Sequence, residues 1–137
     1  MANEIWINLP VKDVKKSNEF FSALGFSFNE QYASHNNACM QSGDKKVTIM
    51  LFEQSVFKSF IQTEVANTKT GNEVLFSIGA DNREAVNEFA EKVTAAGGVI
   101  FSKPAETQGW MYGCAFSDLD GHRWNVLYMD MSNIPKK

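Results

Sequence analysis

One order of secondary-structure signals occurs twice along the chain, and this repeat is the strongest constraint on the fold. In each half, a short apolar strand is followed by an amphipathic helix and then by three further strands. A polar, turn-rich stretch at residues 63–71 separates the halves. Because a half of about 65 residues is marginally stable alone, the repeat predicts two paired β-α-β-β-β modules, residues 4–62 and 72–131, within a single domain over 1–137.

The first module begins with partly alternating apolar residues at 5–11, which predict a strand. Asp13 is a typical first cap for the helix that follows, and Gly25 is a typical end for it. The remaining predicted elements are strands over 26–32, 38–42 and 46–52 and a short helix over 55–61.

The second module starts with a strand over 74–80, after which Asn82 is predicted to cap a helix that Gly97 ends. The last predicted elements are strands over 99–101, 110–117 and 122–129, a loop over 103–108 and a frayed tail over 132–137. A gapless offset of 75 residues between the modules places Cys39 on Cys114. The predicted class is therefore α+β, with a cupped, mostly antiparallel sheet and the helices outside.

Charge and hydropathy limit the classes of partner. The formal net charge is −3 and no basic run is longer than two residues, so a nucleic-acid partner is not expected. No apolar stretch approaches the roughly 20 residues of a membrane span, and the first residues do not read as a secretory signal. The two cysteines do not suggest a disulfide framework, so we expect a cytoplasmic protein.

Two segments resemble a known superfamily. The first, at 9–26, reads LPVKDVKKSNEFFSALGF, and the second, at 116–130, reads FSDLDGHRWNVLYMD. With the doubled module order, they resemble the vicinal-oxygen-chelate superfamily, which contains glyoxalase I, extradiol dioxygenases, and bleomycin- and fosfomycin-resistance proteins. The resemblance covers residues 4–130 and is nearest to small bacterial lactoylglutathione-lyase-like proteins, so it implies one glyoxalase-like domain.

Members of that superfamily with enzymatic activity typically hold one divalent metal with four ligands, usually His, Glu or Gln, one from each of four strands. The resemblance places these positions at Trp6, Met50, Leu75 and Asn125. An indole, a thioether and an aliphatic chain do not suit such an ion, and a neutral amide is a weak ligand. We therefore predict no metal in this position and no cofactor.

The predicted strands each have one uniformly apolar face, which we expect to meet the helices. The other faces combine apolar walls with a few polar groups, as ligand pockets do. The predicted ligand-binding residues are Trp6, Asn8, Met50, Phe52, Leu75, Ser77, Arg123 and Asn125, also Leu127, with Trp110 and Tyr112 near the rim. If the guanidinium of Arg123 points into the cup, it would select a ligand with an anionic or carbonyl group. If it lies at the rim instead, we expect a neutral or cationic ligand.

Three functions stay open on the sequence. The first is a metal-free glyoxalase/bleomycin-resistance-like protein that binds a small, partly apolar molecule in the cup. The second is a lactoylglutathione-lyase-like lyase or isomerase, and the third is a non-catalytic dimeric scaffold with a filled cup. A homodimer is expected because Phe57, Phe60, Trp110 and Met111 leave apolar area near element edges.

Overall fold

The computed structural model describes residues 3–134, without the side chain of Tyr32. The chain forms two compact units, of which the first runs to Asn67 and the second starts at Thr68. The first unit contains β1 (Ile7–Val11), α1 (Val14–Ala23), β2 (Ser27–Phe28), β3 (Asn37–Gln41), β4 (Thr48–Glu53) and α2 (Gln54–Ile61). The second contains β5 (Leu75–Gly79), α3 (Arg83–Ala96), β6 (Val99–Thr107), β7 (Met111–Ser117) and β8 (Arg123–Met129).

Both units have the same sheet topology. The strand order is β1-β4-β3-β2 in the first unit and β5-β8-β7-β6 in the second. Strands β1 and β4 are parallel, as are β5 and β8, and all other pairs are antiparallel. The doubled module order, the α+β class and the mostly antiparallel pairing are thus confirmed. None of the described helices combines the length and apolarity needed to cross a membrane.

Helix α1 begins and ends at the predicted residues. The carboxylate of Asp13 accepts a hydrogen bond from the backbone N–H of Lys16 at 3.0 Å, which satisfies one of the free donors at the helix start. Gly25 follows the helix with φ +103°, a conformation that glycine adopts without strain. The helix buries Phe20 and Phe21 and packs on β3 and β4.

Helix α3 is placed by equivalent chemistry. The side chain of Asn82 accepts from the N–H of Ala85 at 2.7 Å, and Gly97 ends the helix with φ +102°. Val86 and Val93 are fully buried on the helix face that packs against β6, β7 and β8. The predicted capping residues of both long helices are therefore confirmed, and each long helix covers one face of its own sheet.

The strand predicted over 26–32 is wrong beyond its first residues, because β2 ends at Phe28. The side chain of Asn29 accepts a hydrogen bond from the N–H of Gln31 at 3.0 Å and starts a 3-10 turn over Glu30–Tyr32. Asn favours such local side-chain-to-backbone bonds over a strand ladder. The aromatic alternation that suggested a longer strand is overridden by this cap.

The loop predicted over 103–108 is also wrong, because β6 continues through it to Thr107. Strand β6 lies at the edge of its sheet, and its register against β7 shifts on both sides of Ser102. Pro104 cannot donate to a ladder, but an edge strand with bulges does not need every donor. Of the predicted frayed tail, residues 135–137 lie outside the described residues, and Met131–Asn133 forms a 3-10 turn.

The cysteines are not equivalent in the two units. Cys39 pairs with Met50 across the sheet, whereas Cys114 pairs with Val126, so Cys114 faces α3 and Cys39 faces away from α1. The gapless alignment was wrong by one residue here, because the β7–β8 hairpin is one residue shorter than the β3–β4 hairpin. Burial raises the pKa of both thiols, which keeps them protonated and unreactive.

The turn between β7 and β8 is organised around the buried carboxylate of Asp118, which is 5% exposed. One oxygen accepts from the backbone N–H groups of Asp120 and His122, both at 3.0 Å. The other accepts from the indole N–H of Trp124 at 3.0 Å and lies 2.9 Å from Nδ1 of His122. A carboxylate has about four acceptor sites, so this network uses the whole capacity of the group.

The start of the second unit is attached to the same turn. The hydroxyl of Thr68 donates to the carbonyl of Asp120 at 2.6 Å. Gly121 has φ +85°, and a Cβ on it would collide with the Thr68 side chain. Glycine is therefore required here both for its conformation and for the close approach.

The imidazole of His122 is buried beside Asp118. Burial disfavours its charged form, but the hydrogen bond and negative charge of Asp118, with the charge of Asp120, outweigh this effect and raise the pKa of His122. A histidine whose pKa is higher in the folded than in the unfolded chain stabilises the fold when it is protonated. This stabilisation is complete below the unfolded pKa and is lost as the pH rises through the folded pKa.

We therefore predict a pH-dependent effect of His122→Gln. The loss in free energy of unfolding relative to the natural chain should be largest below about pH 6.5, the value for an unfolded histidine, and should shrink at alkaline pH. Urea denaturation from about pH 5.5 to about pH 8.5 measures it, with His35→Gln, an exposed site outside the network, as the control. A loss that grows with pH would contradict the prediction.

Candidate functional site

The second sheet has one face against α3 and one face turned away from it. Along β8, the half-buried Arg123 and Asn125 alternate with residues buried against α3. Parallel pairing aligns Leu75 with Arg123 and Ser77 with Asn125. With Leu127 on the same side of β8, five of the predicted ligand-binding residues share one surface. This surface, called the face opposite α3 below, comprises Leu75, Ser77, Gly79, Ala115, Ser117, Arg123, Asn125 and Leu127.

Arg123 is held by an aromatic ring. Its guanidinium carbon lies 4.3 Å from the centroid of the Phe101 ring, a distance typical of a cation–π contact. Phe101 is 47% exposed. Within residues 3–134, no carboxylate forms an ion pair with Arg123. The guanidinium therefore has one aromatic contact, and no described side chain neutralises its charge.

Asn125 carries an acceptor without a donor. Its side-chain oxygen is buried and has no hydrogen-bond partner among the described residues, although buried polar atoms are generally paired. The residues beside it in register are small, since Ser77 lies on one side and Ala115 on the other. A hydrogen-bond donor on a ligand would satisfy this acceptor, whose neighbours in register are small.

The corresponding face of the first sheet has larger side chains. Asn8, Met50 and Cys39 form one row across β1, β4 and β3, and Asn8 is exposed while Met50 is half-buried. The next β4 residue on this face, Phe52, packs edge-to-face against Phe60 of α2, with ring centroids 5.1 Å apart. Phe52 is thus partly used for packing within the first unit.

Trp6 lies just before β1, because the strand starts at Ile7 and not at the predicted residue 5. Its side chain is 55% exposed. The parallel pairing with β4 begins with Ile7 against Ile49, so Trp6 is outside the ladder that would fix its direction. The prediction that residues from both sheets line one cup stays a prediction.

Tyr112, predicted near the rim, lies on the face of the second sheet that packs against α3. It pairs with Tyr128 on β8, which has the parity of the residues that face α3. Its hydroxyl donates to the side-chain oxygen of Asn87 on α3 at 2.7 Å, and the guanidinium of Arg83 lies 5.7 Å from its ring centroid. The strand alternation that places Asn125 opposite α3 places Tyr112 towards it.

Trp110 precedes β7, in the turn that leads into the strand. Its carbonyl accepts from the N–H of Asp130 at 2.7 Å, which closes the open end of the β7–β8 pair. Its indole N–H is buried without a hydrogen-bond partner among the described residues.

The residues at the superfamily's metal positions do not fit a metal. Trp6 and Leu75 offer no ligand atom, Met50 offers a soft thioether, and Asn125 offers one neutral oxygen. In the described part of the chain, no three His, Cys, Asp or Glu side chains come together in a way that could hold an ion. Zinc and similar ions need several convergent imidazole, carboxylate or thiolate donors.

A cleft of about 480 Å³ in the first unit, lined in part by charged side chains, was not predicted. It lies where the carboxyl ends of the parallel strands β1 and β4 meet the start of α1, a common position for clefts in such arrangements. Its charged side chains have both signs. The lining residues that carry charge or a titratable ring are Lys12, Asp13, Lys15, Glu30, His35 and Glu53. Two of these carboxylates, those of Asp13 and Glu53, already cap helices.

Comparison with known proteins gives a family match for the first strands and helix. A family profile described as "Bleomycin resistance protein-like N-terminal" matches residues 5–43. No curated protein sequence matches the chain. The solved hypothetical protein SA1046 from S. aureus is 36% identical, with 93% of this chain and 94% of that chain covered and a TM-score of 0.83.

More distant structures show the same fold. A glyoxalase/bleomycin resistance protein/dioxygenase family enzyme from Burkholderia phytofirmans PsJN is 20% identical, with 90% of this chain and 96% of that chain covered and a TM-score of 0.78. The fosfomycin resistance protein FosX from Listeria monocytogenes is 16% identical, with 96% and 97% covered and a TM-score of 0.67. The chain belongs to the vicinal-oxygen-chelate superfamily, which includes the glyoxalase/bleomycin-resistance-like proteins.

Proposed function

We propose that the protein binds a small, partly apolar organic molecule on the face opposite α3, without a metal ion. The observation that carries this proposal is the buried, unpartnered oxygen of Asn125, whose residue lies between the small residues Ser77 and Ala115 in the sheet. Leu75, which is 54% exposed, and Phe101 supply apolar area on either side. Apolar walls with a few oriented polar groups are the usual composition of a small-molecule site.

Binding is favoured over a filled scaffold by the size of the side chains around Asn125. Its neighbours in register, Ser77 and Ala115, have small side chains. At the next positions on this face, Gly79 and Ser117 are also small, whereas Leu75 is large. A scaffold would gain stability from larger side chains at these positions, because each buried apolar group adds dispersion contacts.

A lyase or isomerase of the glyoxalase type is the weaker proposal, because the donors at the superfamily's metal positions do not suit a divalent ion. We also propose that the protein is a cytoplasmic homodimer. Exposed apolar side chains in both units support a partner copy, since large apolar area on a monomer commonly marks an interface. Of the residues expected there, Phe60 is exposed, whereas Phe57, Trp110 and Met111 are half-buried.

The binding proposal predicts that the neutral dye 1-N-phenylnaphthylamine binds saturably to the protein, which is measured as a rise in the fluorescence of the dye. Ala115→Trp should weaken dye binding at least about tenfold, which corresponds to about 1.4 kcal/mol, because the indole covers the surface beside Asn125. Ala95→Trp makes the same substitution at an exposed position of α3 and should leave binding unchanged. Equal dye affinity in a folded Ala115→Trp variant would refute this location.

The metal-free proposal predicts that the purified protein retains no stoichiometric Zn²⁺, Ni²⁺ or Mn²⁺. A chelator should leave its melting temperature unchanged, because folding and binding are not coupled to an ion. Elemental analysis and thermal melts with and without EDTA measure both quantities. One-to-one metal retention that is lost in Asn125→Ala would instead support a metal-dependent activity.

A further inference from the structure

We propose that the face opposite α3 selects a small organic monocarboxylate that also carries an O–H or N–H donor. This inference rests on the proposed function, because it names the chemical class of molecule for the same face. It is carried by Arg123 and Asn125, which lie two residues apart on β8 and project to the same side.

The carboxylate is assigned from the difference between the two arginines of the chain. Arg83 is already neutralised, since its guanidinium lies 2.5 Å from a carboxylate oxygen of Glu106 and near the rings of Tyr112 and Tyr128. Arg123 has the Phe101 ring against its guanidinium but no carboxylate partner among the described residues.

The Phe101 ring lies against the Arg123 guanidinium, and no described carboxylate is paired with its N–H groups. The N–H edges of a guanidinium match the two oxygens of a carboxylate in a bidentate pair. A single guanidinium complements a single negative charge, which favours a monocarboxylate over a dianion. Arg123 is half-buried, so the pair would form with partial exclusion of water, where an ion pair is stronger than at an exposed surface.

The donor on the ligand is assigned from Asn125. Its side-chain oxygen is a buried acceptor with no hydrogen-bond partner among the described residues. Residues two apart in a strand have Cα atoms about 7 Å apart. The two recognition groups of the ligand are therefore close together, with a short apolar body between them.

A matched set of three para-substituted aromatic probes separates these contributions. The first, 4-hydroxybenzoate, carries both groups, 4-methoxybenzoate lacks the donor, and methyl 4-hydroxybenzoate lacks the charge. Affinity is measured by calorimetry and by displacement of 1-N-phenylnaphthylamine from the full-length protein. We expect 4-hydroxybenzoate to bind at least about fivefold more tightly than either analogue, as for one lost polar interaction of about 1 kcal/mol.

Two variants assign each preference to its residue. Arg123→Met should abolish the preference for the acid over the ester, and Asn125→Leu should abolish the preference for the phenol over the methyl ether. Arg83→Met is the matched control, because it removes the arginine on the other face of the sheet, and it should preserve both preferences. A thermal melt of each variant confirms that it is folded.

The outcomes separate this inference from the proposed function. If the dye binds but methyl 4-hydroxybenzoate binds as tightly as 4-hydroxybenzoate or more tightly, the carboxylate assignment is wrong while small-molecule binding stands. The same conclusion follows if the dye binds and neither of these two probes does. If Arg123→Met keeps the preference for the acid, the role of Arg123 is wrong. If neither the dye nor any probe binds, the inference and the proposed function fail together.

Discussion

The buried carboxylate of Asp118 is the interaction on which the second unit depends most. It accepts from two backbone N–H groups and from Trp124, and it lies beside His122, so it joins a turn to the first residues of β8. Strand β8 is central in its sheet and pairs with both β5 and β7. Because a shift of one residue would move every side chain to the other face, the turn sets which face Arg123 and Asn125 occupy.

The two units use one topology for different surfaces. Their buried faces are alike, with one long helix packed on each sheet. The opposite faces differ, because the row of Asn8, Met50 and Cys39 in the first unit corresponds to the row of Ser77, Asn125 and Ala115 in the second. The side chains that face the helices stabilise the fold in both units. The proposed binding residues lie on the opposite face, where the two units differ, as expected when function resides in sites rather than folds.

Local chemistry made much of the fold predictable. Helix caps such as Asp13 and Asn82 act within one turn of chain, so the sequence identifies them directly. The continuation of β6 through Pro104 was missed because it depends on the strand lying at a sheet edge, which is tertiary information. The face of Asn125 followed from alternation, but its unpartnered oxygen did not, since hydrogen-bond satisfaction depends on all surrounding atoms.

Hydrogen exchange in Asp118→Asn tests the central role of the carboxylate most directly. Asn keeps the size but loses the charge and one acceptor, so the account predicts lower amide protection throughout β7 and β8, including Arg123 and Asn125. The global free energy of unfolding should fall by about 2–4 kcal/mol, as for a disrupted buried charge network. The amides of α1 should lose no more protection than this global decrease accounts for. Unchanged protection in β8, or a loss below about 0.5 kcal/mol, would contradict it.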